Sequence, residues 1–146
     1  MVNVNELRIG NYVIDRGLIH RVIGIINEDG NKIYDKKKDP TIVTKFNEIE
    51  LKHSESNLDG IPLTEEILLN CGFCKSMGES KIMTNGIIFY SNGEILLSYD
   101  FHLLEYIFDD DWDVWHYSEK EMRIFYVHEL QNLYYILSGE ELEIKL

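Results

Sequence analysis

Residues 124–146, IFYVHELQNLYYILSGEELEIKL, constrain the fold more than any other stretch. Val127, Leu130, Leu133, Tyr134 and Leu137 recur at steps of three and four, the signature of one apolar face of an α-helix. Ser138-Gly139 follows the last periodic residue, where glycine can close a helix in the left-handed conformation. Leu142, Ile144 and Leu146 then alternate with Glu143 and Lys145, which is strand periodicity. The spacing predicts a helix over 127–138 between a strand entering at 122–126 and a strand leaving at 141. Glu129, Gln131 and Asn132 fall largely off the apolar stripe. On that reading Leu133→Ala is expected to cost about 2–5 kcal/mol, and Gln131→Ala within about 0.5 kcal/mol unless its amide is a partner contact.

The rest of the chain reads as short strands and turns. Strands are expected at 12–14 and 18–27, with turns at Asp15-Arg16-Gly17 and Asp29-Gly30, and a return through 32–34. Asp35 to Pro40 is a charged loop, and 41–51 is extended. Several short antiparallel strands in so few residues predict a small SH3-like barrel over 1–52, because closure removes exposed edges. Residues 53–60, HSESNLDG, are rich in turn formers and mark a junction. Thr64 is a favoured N-cap for a helix near 65–71, with Leu63 and Leu68 spaced as a hydrophobic staple and Gly72 closing it. Asn85-Gly86 and Asn92-Gly93 predict two hairpins in an antiparallel meander, with strands at 81–83, 87–90 and 95–99. FHLLEYIF at 101–108 fits a strand or two helical turns, and its neighbours favour strand. A last hairpin is expected between 112–117 and 122–126. The expected class is α+β: the small barrel, then a subdomain at 61–146 in which a meander sheet packs with a short and a long helix.

Charge is uneven along the chain. Residues 1–60 hold nine Lys/Arg against ten Asp/Glu, whereas residues 61–146 hold five against sixteen. The second half therefore carries nearly all of the net charge of -12. Solubility is its simplest use, and attraction of a basic partner the next. No apolar run approaches the 18 or so residues a membrane helix needs. The start, MVNVNELRIGNY, is too polar for a signal peptide. Two closely spaced cysteines make no disulfide framework, so the cytoplasm is the expected compartment.

ELRIGNYV at 6–13, IPLTEEILLNCGF at 61–73 and YVHELQNLYYILSGEELEI at 126–144 together resemble a family of small uncharacterised proteins that recur in Bacteroidetes genomes and their phages or mobile elements. The resemblance covers both ends and the short helix, and is most specific at His128 to Leu133. It implies an intracellular accessory protein, phage-borne in some settings, and carries over no catalytic residue.

Several constellations invite chemistry. Cys71-Gly72-Phe73-Cys74 has redox CxxC spacing, but the helix precedes it, so Cys71 sits at the negative end, where a thiol pKa rises. Zinc would need a second pair, and His53 and His102 are only loosely placed, so a small apolar role is favoured. His128 near a helix start is pushed toward its neutral form, as a base would need. No serine elbow, HExxH or phosphate loop completes a site, and the structural reading is preferred. Lys36, Lys37 and Lys38, with Arg21, Lys32, Lys45, Tyr12 and Tyr34, offer a basic and aromatic face for nucleic acid, opposed by the acidic total. Asp109, Asp110, Asp111 and Asp113 lack the ligand alternation of a calcium loop. With Glu140 and Glu141 they are the candidate contacts for a basic protein. No catalytic residue, metal ligand or cofactor is assigned, and a non-enzymatic interaction protein is expected ahead of a nucleic-acid-binding module.

Overall fold

Turn chemistry sets the first sheet. In the computed structural model, which describes residues 1–26, 40–54, 57–80, 83–93, 95–98, 101–106 and 122–146, a 3-10 turn, η1 (Val4–Glu6), precedes β1 (Tyr12–Asp15) and β2 (Leu18–Ile26). These strands pair through a two-residue turn in which Arg16 and Gly17 both have positive φ, 49° and 82°. That left-handed pair matches the twist of the flanking strands. β3 (Thr41–Phe46) and β4 (Ile49–His53) form a second hairpin about Asn47, whose φ is 53°. The continuous extended run expected at 41–51 is thus broken in two by an asparagine that tolerates the left-handed region.

β5 (Asp59–Gly60) returns to pair with β1, and the strand order is β4-β3-β2-β1-β5. Among the described residues this sheet is open, with β4 and β5 at its edges, and not the closed barrel that was expected. The stretch read as a junction, 53–60, includes His53 of β4 and the whole of β5.

α1 (Glu65–Asn70) is closed at both ends. Thr64 Oγ1 accepts from Ile67 N at 3.3 Å, the N-cap bond. At the other end Phe73 N donates to Leu68 O and Gly72 N to Leu69 O, with Gly72 at φ 91°. This is a Schellman closure, and the residues it brings together, Leu68 and Phe73, are both buried.

β6 (Cys74–Ser80), β7 (Met83–Ser91), β8 (Ile95–Ser98), β9 (His102–Tyr106) and β10 (Met122–Arg123) form a second antiparallel sheet in sequential order. The 101–108 segment contains a strand, and Asn92-Gly93 makes a tight turn in which Ile95 N donates to Asn92 Oδ1 at 2.8 Å. Asn85-Gly86 makes no turn and lies inside β7. There β7 advances from Met83 to Ile87 while β6 moves only from Ser80 to Gly78, so the dipeptide sits in a bulge. The strand expected at 112–117 lies outside the described residues, and β10 pairs with β9.

α2 (Val127–Ser138) ends where Gly139 N donates to Tyr135 O at 2.8 Å. No strand follows: residues 139–146 are irregular, with Leu142 buried and Glu143 exposed. Of the alternating apolar residues only Leu142 is buried, Ile144 being half-buried and Leu146 exposed, so the alternation does not mark a strand. By contacts the chain divides into two units, Met1–Pro62 with Tyr126–Asn132, and Leu63–Phe125 with Leu133–Leu146. Val2, Leu7, Val13, Val22, Ile42 and Leu58 form the apolar core of the first. Among the described residues no helix is long and apolar enough to cross a membrane.

Candidate functional site

The first turns of α2 hold the N-terminal strand of the same unit through side-chain amides. Gln131, only 2% exposed, donates from Nε2 to Gly10 O at 3.1 Å and accepts at Oε1 from Tyr12 N at 3.0 Å. Asn132 Nδ2 donates to Glu6 O at 2.6 Å, while its Oδ1 accepts from Asn11 Nδ2 at 2.9 Å and Arg8 Nε at 3.1 Å. Asn11, fully buried, accepts at Oδ1 from Arg8 N at 2.7 Å. Gln131 was read as a flank residue of small effect, and its burial overturns that reading. Two of the stretches quoted for the family resemblance, 6–13 and 126–144, thus meet as donors and acceptors to one another.

One turn earlier on α2, Tyr126 N donates to Glu129 Oε2 at 3.1 Å, the backward half of a capping box. His128 beside it is 1% exposed, and among the described residues neither ring nitrogen has a hydrogen-bond partner. Its Nε2 lies 3.9 Å from Glu6 Oε2. The imidazole stacks on Tyr126, ring centroids 5.6 Å apart and planes within 12°. A Cβ added at Gly60 would stand 2.7 Å from Tyr126 Cδ1, 2.8 Å from Cγ and 3.1 Å from His128 Cε1. Because Cγ is next to the backbone, swinging the ring tip cannot relieve that clash. Gly60→Ala is therefore expected to destabilise the protein by about 1–3 kcal/mol as an overpacking change. A urea midpoint equal to that of the parent would show that the two rings yield freely.

A second polar group lies within the first sheet. His20 Nδ1 is 3.1 Å from Thr44 Oγ1, which is 2.7 Å from His53 Nε2, and His53 Nδ1 is 3.9 Å from Asp15 Oδ2. The order carboxylate, imidazole, hydroxyl mimics a nucleophile relay. Thr44, however, is fully buried, so its hydroxyl has no access to a substrate, and Phe46 stacks on His20 at 5.2 Å. The arrangement joins β1 to β4 through polar contacts inside the sheet's buried face.

Burial holds the imidazoles of His20 and His128 below the ordinary value of 6.5. At His20 the neighbouring His53 adds to desolvation and Asp15 opposes it; at His128 Glu129 and Glu6 oppose it. A histidine whose folded pKa is depressed binds protons more readily in the unfolded chain, so acid favours unfolding. Stability is expected to be complete above the ordinary value and to fall as pH drops below it. A urea midpoint that stays level from neutral to mildly acid pH would mean that both rings are solvated.

In the second unit, Glu65 accepts from Lys75 Nζ at 2.8 and 3.1 Å and from Tyr90 OH at 2.7 Å. Burial, with the Glu65 carboxylate behind it, pushes the Tyr90 phenol up to about 12. This set ties the start of α1 to the sheet. Cys71 is half-buried with its thiol pushed up by burial, Cys74 is exposed, and both are free. A raised thiol pKa disfavours the thiolate that redox exchange needs.

Of the partner contacts expected from the sequence, Glu140 and Glu141 are exposed just beyond α2. Asp109, Asp110, Asp111 and Asp113 lie outside the described residues, as do Lys32, Tyr34, Lys36, Lys37 and Lys38. Tyr12, Arg21 and Lys45 stand in register across β1, β2 and β3, which puts them on one face of the sheet. Glu50 of β4 ends that row, and Lys45 pairs with Glu48 at 3.0 Å. Glu6, Asn11 and Gln131 carried no sequence signal as sites, because their partners lie far away in the chain; His53 stood out only as a loosely placed zinc partner, without His20 or Thr44.

Comparison with protein-family models, with curated proteins and with solved structures finds no match to this chain.

Proposed function

We propose that this chain is a non-enzymatic, cytoplasmic accessory protein that engages a basic surface of another protein through its acidic second half. The observation that carries the reading is how the polar side chains are used. The buried amides and imidazole-hydroxyl pairs hold the protein's own strands and helix, while Glu140 lies exposed beyond α2. The -12 total and its bias to residues 61–146 supply the field for a cationic partner. The helix C-terminus just before Glu140 adds to the negative potential there. The resemblance of 6–13, 61–73 and 126–144 to the Bacteroidetes and phage-associated family would suit such a role. The test is capture of partners from the native cell by the full chain, at low and at high salt. A basic partner released by salt, and lost with Lys at Asp109, Asp110, Asp111, Asp113, Glu140 and Glu141, supports the reading. Capture indifferent to those changes refutes it.

A second reading rests on the row Tyr12, Arg21 and Lys45. We infer for the first sheet an SH3-like arrangement, since four strands meander and a fifth returns to the first. Such a face, with Lys36, Lys37 and Lys38 in the adjoining segment, suits single-stranded nucleic acid, the aromatic stacking and the cations following the backbone. A gel shift of the full chain at low salt, abolished by Arg21→Glu with Lys45→Glu, supports it; no shift at low salt removes it.

A further inference from the structure

We propose that Glu6, His128 and Glu129 form a binding site for one divalent cation of the zinc class. Each residue offers one ligand atom, and these atoms all lie within 4.8 Å of one another. Acidic groups so close are common, and the carboxylates alone would carry no argument. The buried imidazole between them does. His128 is 1% exposed, and among the described residues both of its ring nitrogens lack a hydrogen-bond partner. A buried polar atom left unsatisfied is costly and rare, so a ring held this way points to a ligand.

The distances fit an ion better than a direct bond. His128 Nε2 and Glu6 Oε2 are 3.9 Å apart, too far for a hydrogen bond. Ligand atoms at about 2.0–2.2 Å from a tetrahedral zinc stand roughly 3.4 Å from each other, so a small closure of Glu6 completes the contact. Glu6 can make it, since its side chain is 53% exposed. The Glu129 carboxylate can accept the Tyr126 N–H and give a further lone pair to a cation at the same time.

Chemistry selects the class of ion. A neutral imidazole with carboxylates suits zinc and its transition-metal neighbours, whereas calcium and magnesium take oxygen ligands in larger number. The helix start opposes a cation with only about half a positive charge, against two carboxylates. Stacking on Tyr126 and the close approach over Gly60 fix the ring plane that a second hydrogen bond fixes in many metal sites. Three protein ligands leave a coordination position open on the side of exposed Glu6. The ion would clip η1 to the start of α2, beside the amide network that already joins them.

The experiment uses the full chain carrying Cys71→Ser and Cys74→Ser, which removes the thiols that would take zinc on their own. After chelator treatment, zinc is titrated by calorimetry, melting temperature is followed, and the His128 ring nitrogens are observed by NMR. One zinc per chain is expected, with a raised melting temperature and displaced His128 ring resonances. Glu6→Gln, at an exposed position, should weaken zinc binding about tenfold or more; Glu50→Gln, an exposed carboxylate elsewhere in the unit, should not. Absence of zinc binding overturns the proposal, as does binding that leaves the His128 resonances in place or is unmoved by Glu6→Gln.

Discussion

Gln131→Ala is expected to lower stability by about 2–4 kcal/mol, an effect comparable to that of a large apolar truncation. The amide is 2% exposed and satisfies two backbone groups of the same unit, Gly10 O and Tyr12 N. Truncation orphans both, at about 1–3 kcal/mol each, with water relieving part of the cost at half-exposed Tyr12. Gln131→Glu separates hydrogen bonding from size. It keeps the shape and the acceptor for Tyr12 N but turns a carboxylate oxygen toward Gly10 O, so it too should destabilise strongly. Urea unfolding at constant slope reads both changes. If Gln131→Ala and Gln131→Glu both unfold at the midpoint of the parent, the amide is solvated and α2 does not hold the N-terminal strand in this way. Asn11→Ala combined with Asn132→Ala should be non-additive, since the two side chains share a hydrogen bond at 2.9 Å.

What was legible in the sequence was local. Thr64, the Gly72 closure, Asn92-Gly93 and the end of α2 at Gly139 each act through bonds within a few residues, so the residue type carries the geometry. Asn85-Gly86 carried the same kind of signal and was overridden, because pairing along β6 and β7 absorbs the dipeptide as a bulge. Leu142 to Leu146 alternates like a strand, yet a strand exists only where another strand offers a ladder, which is not a property of the segment. The proposed metal site was not legible. His128 stood out at a helix start only as a base, and Glu6 is separated from it by almost the whole chain. Gln131 failed for a different reason. Hydrophobic periodicity ranks side chains by transfer to apolar surroundings, so a glutamine buried through its hydrogen bonds is counted with the solvent flank.

Leu130→Ala should destabilise by about 2–5 kcal/mol, the transfer loss of the side chain plus the cavity left behind. Leu130 is fully buried, one turn after fully buried Val127, and its backbone N donates to Tyr126 O. Helix propensity slightly favours alanine, by tenths of a kcal/mol, and cannot offset a loss of this size. Leu133, also buried, should respond in the same range. Ile136 provides the contrast within the same helix. It is 78% exposed, so Ile136→Ala should fall within about 0.5 kcal/mol of the parent. The pair therefore tests the orientation of α2 about its own axis without altering charge. A severe Ile136→Ala beside a harmless Leu130→Ala would require the helix to be rotated. The residues at 127, 130 and 133 would then form an apolar face open to solvent, a docking surface of a different kind from the acidic one proposed here.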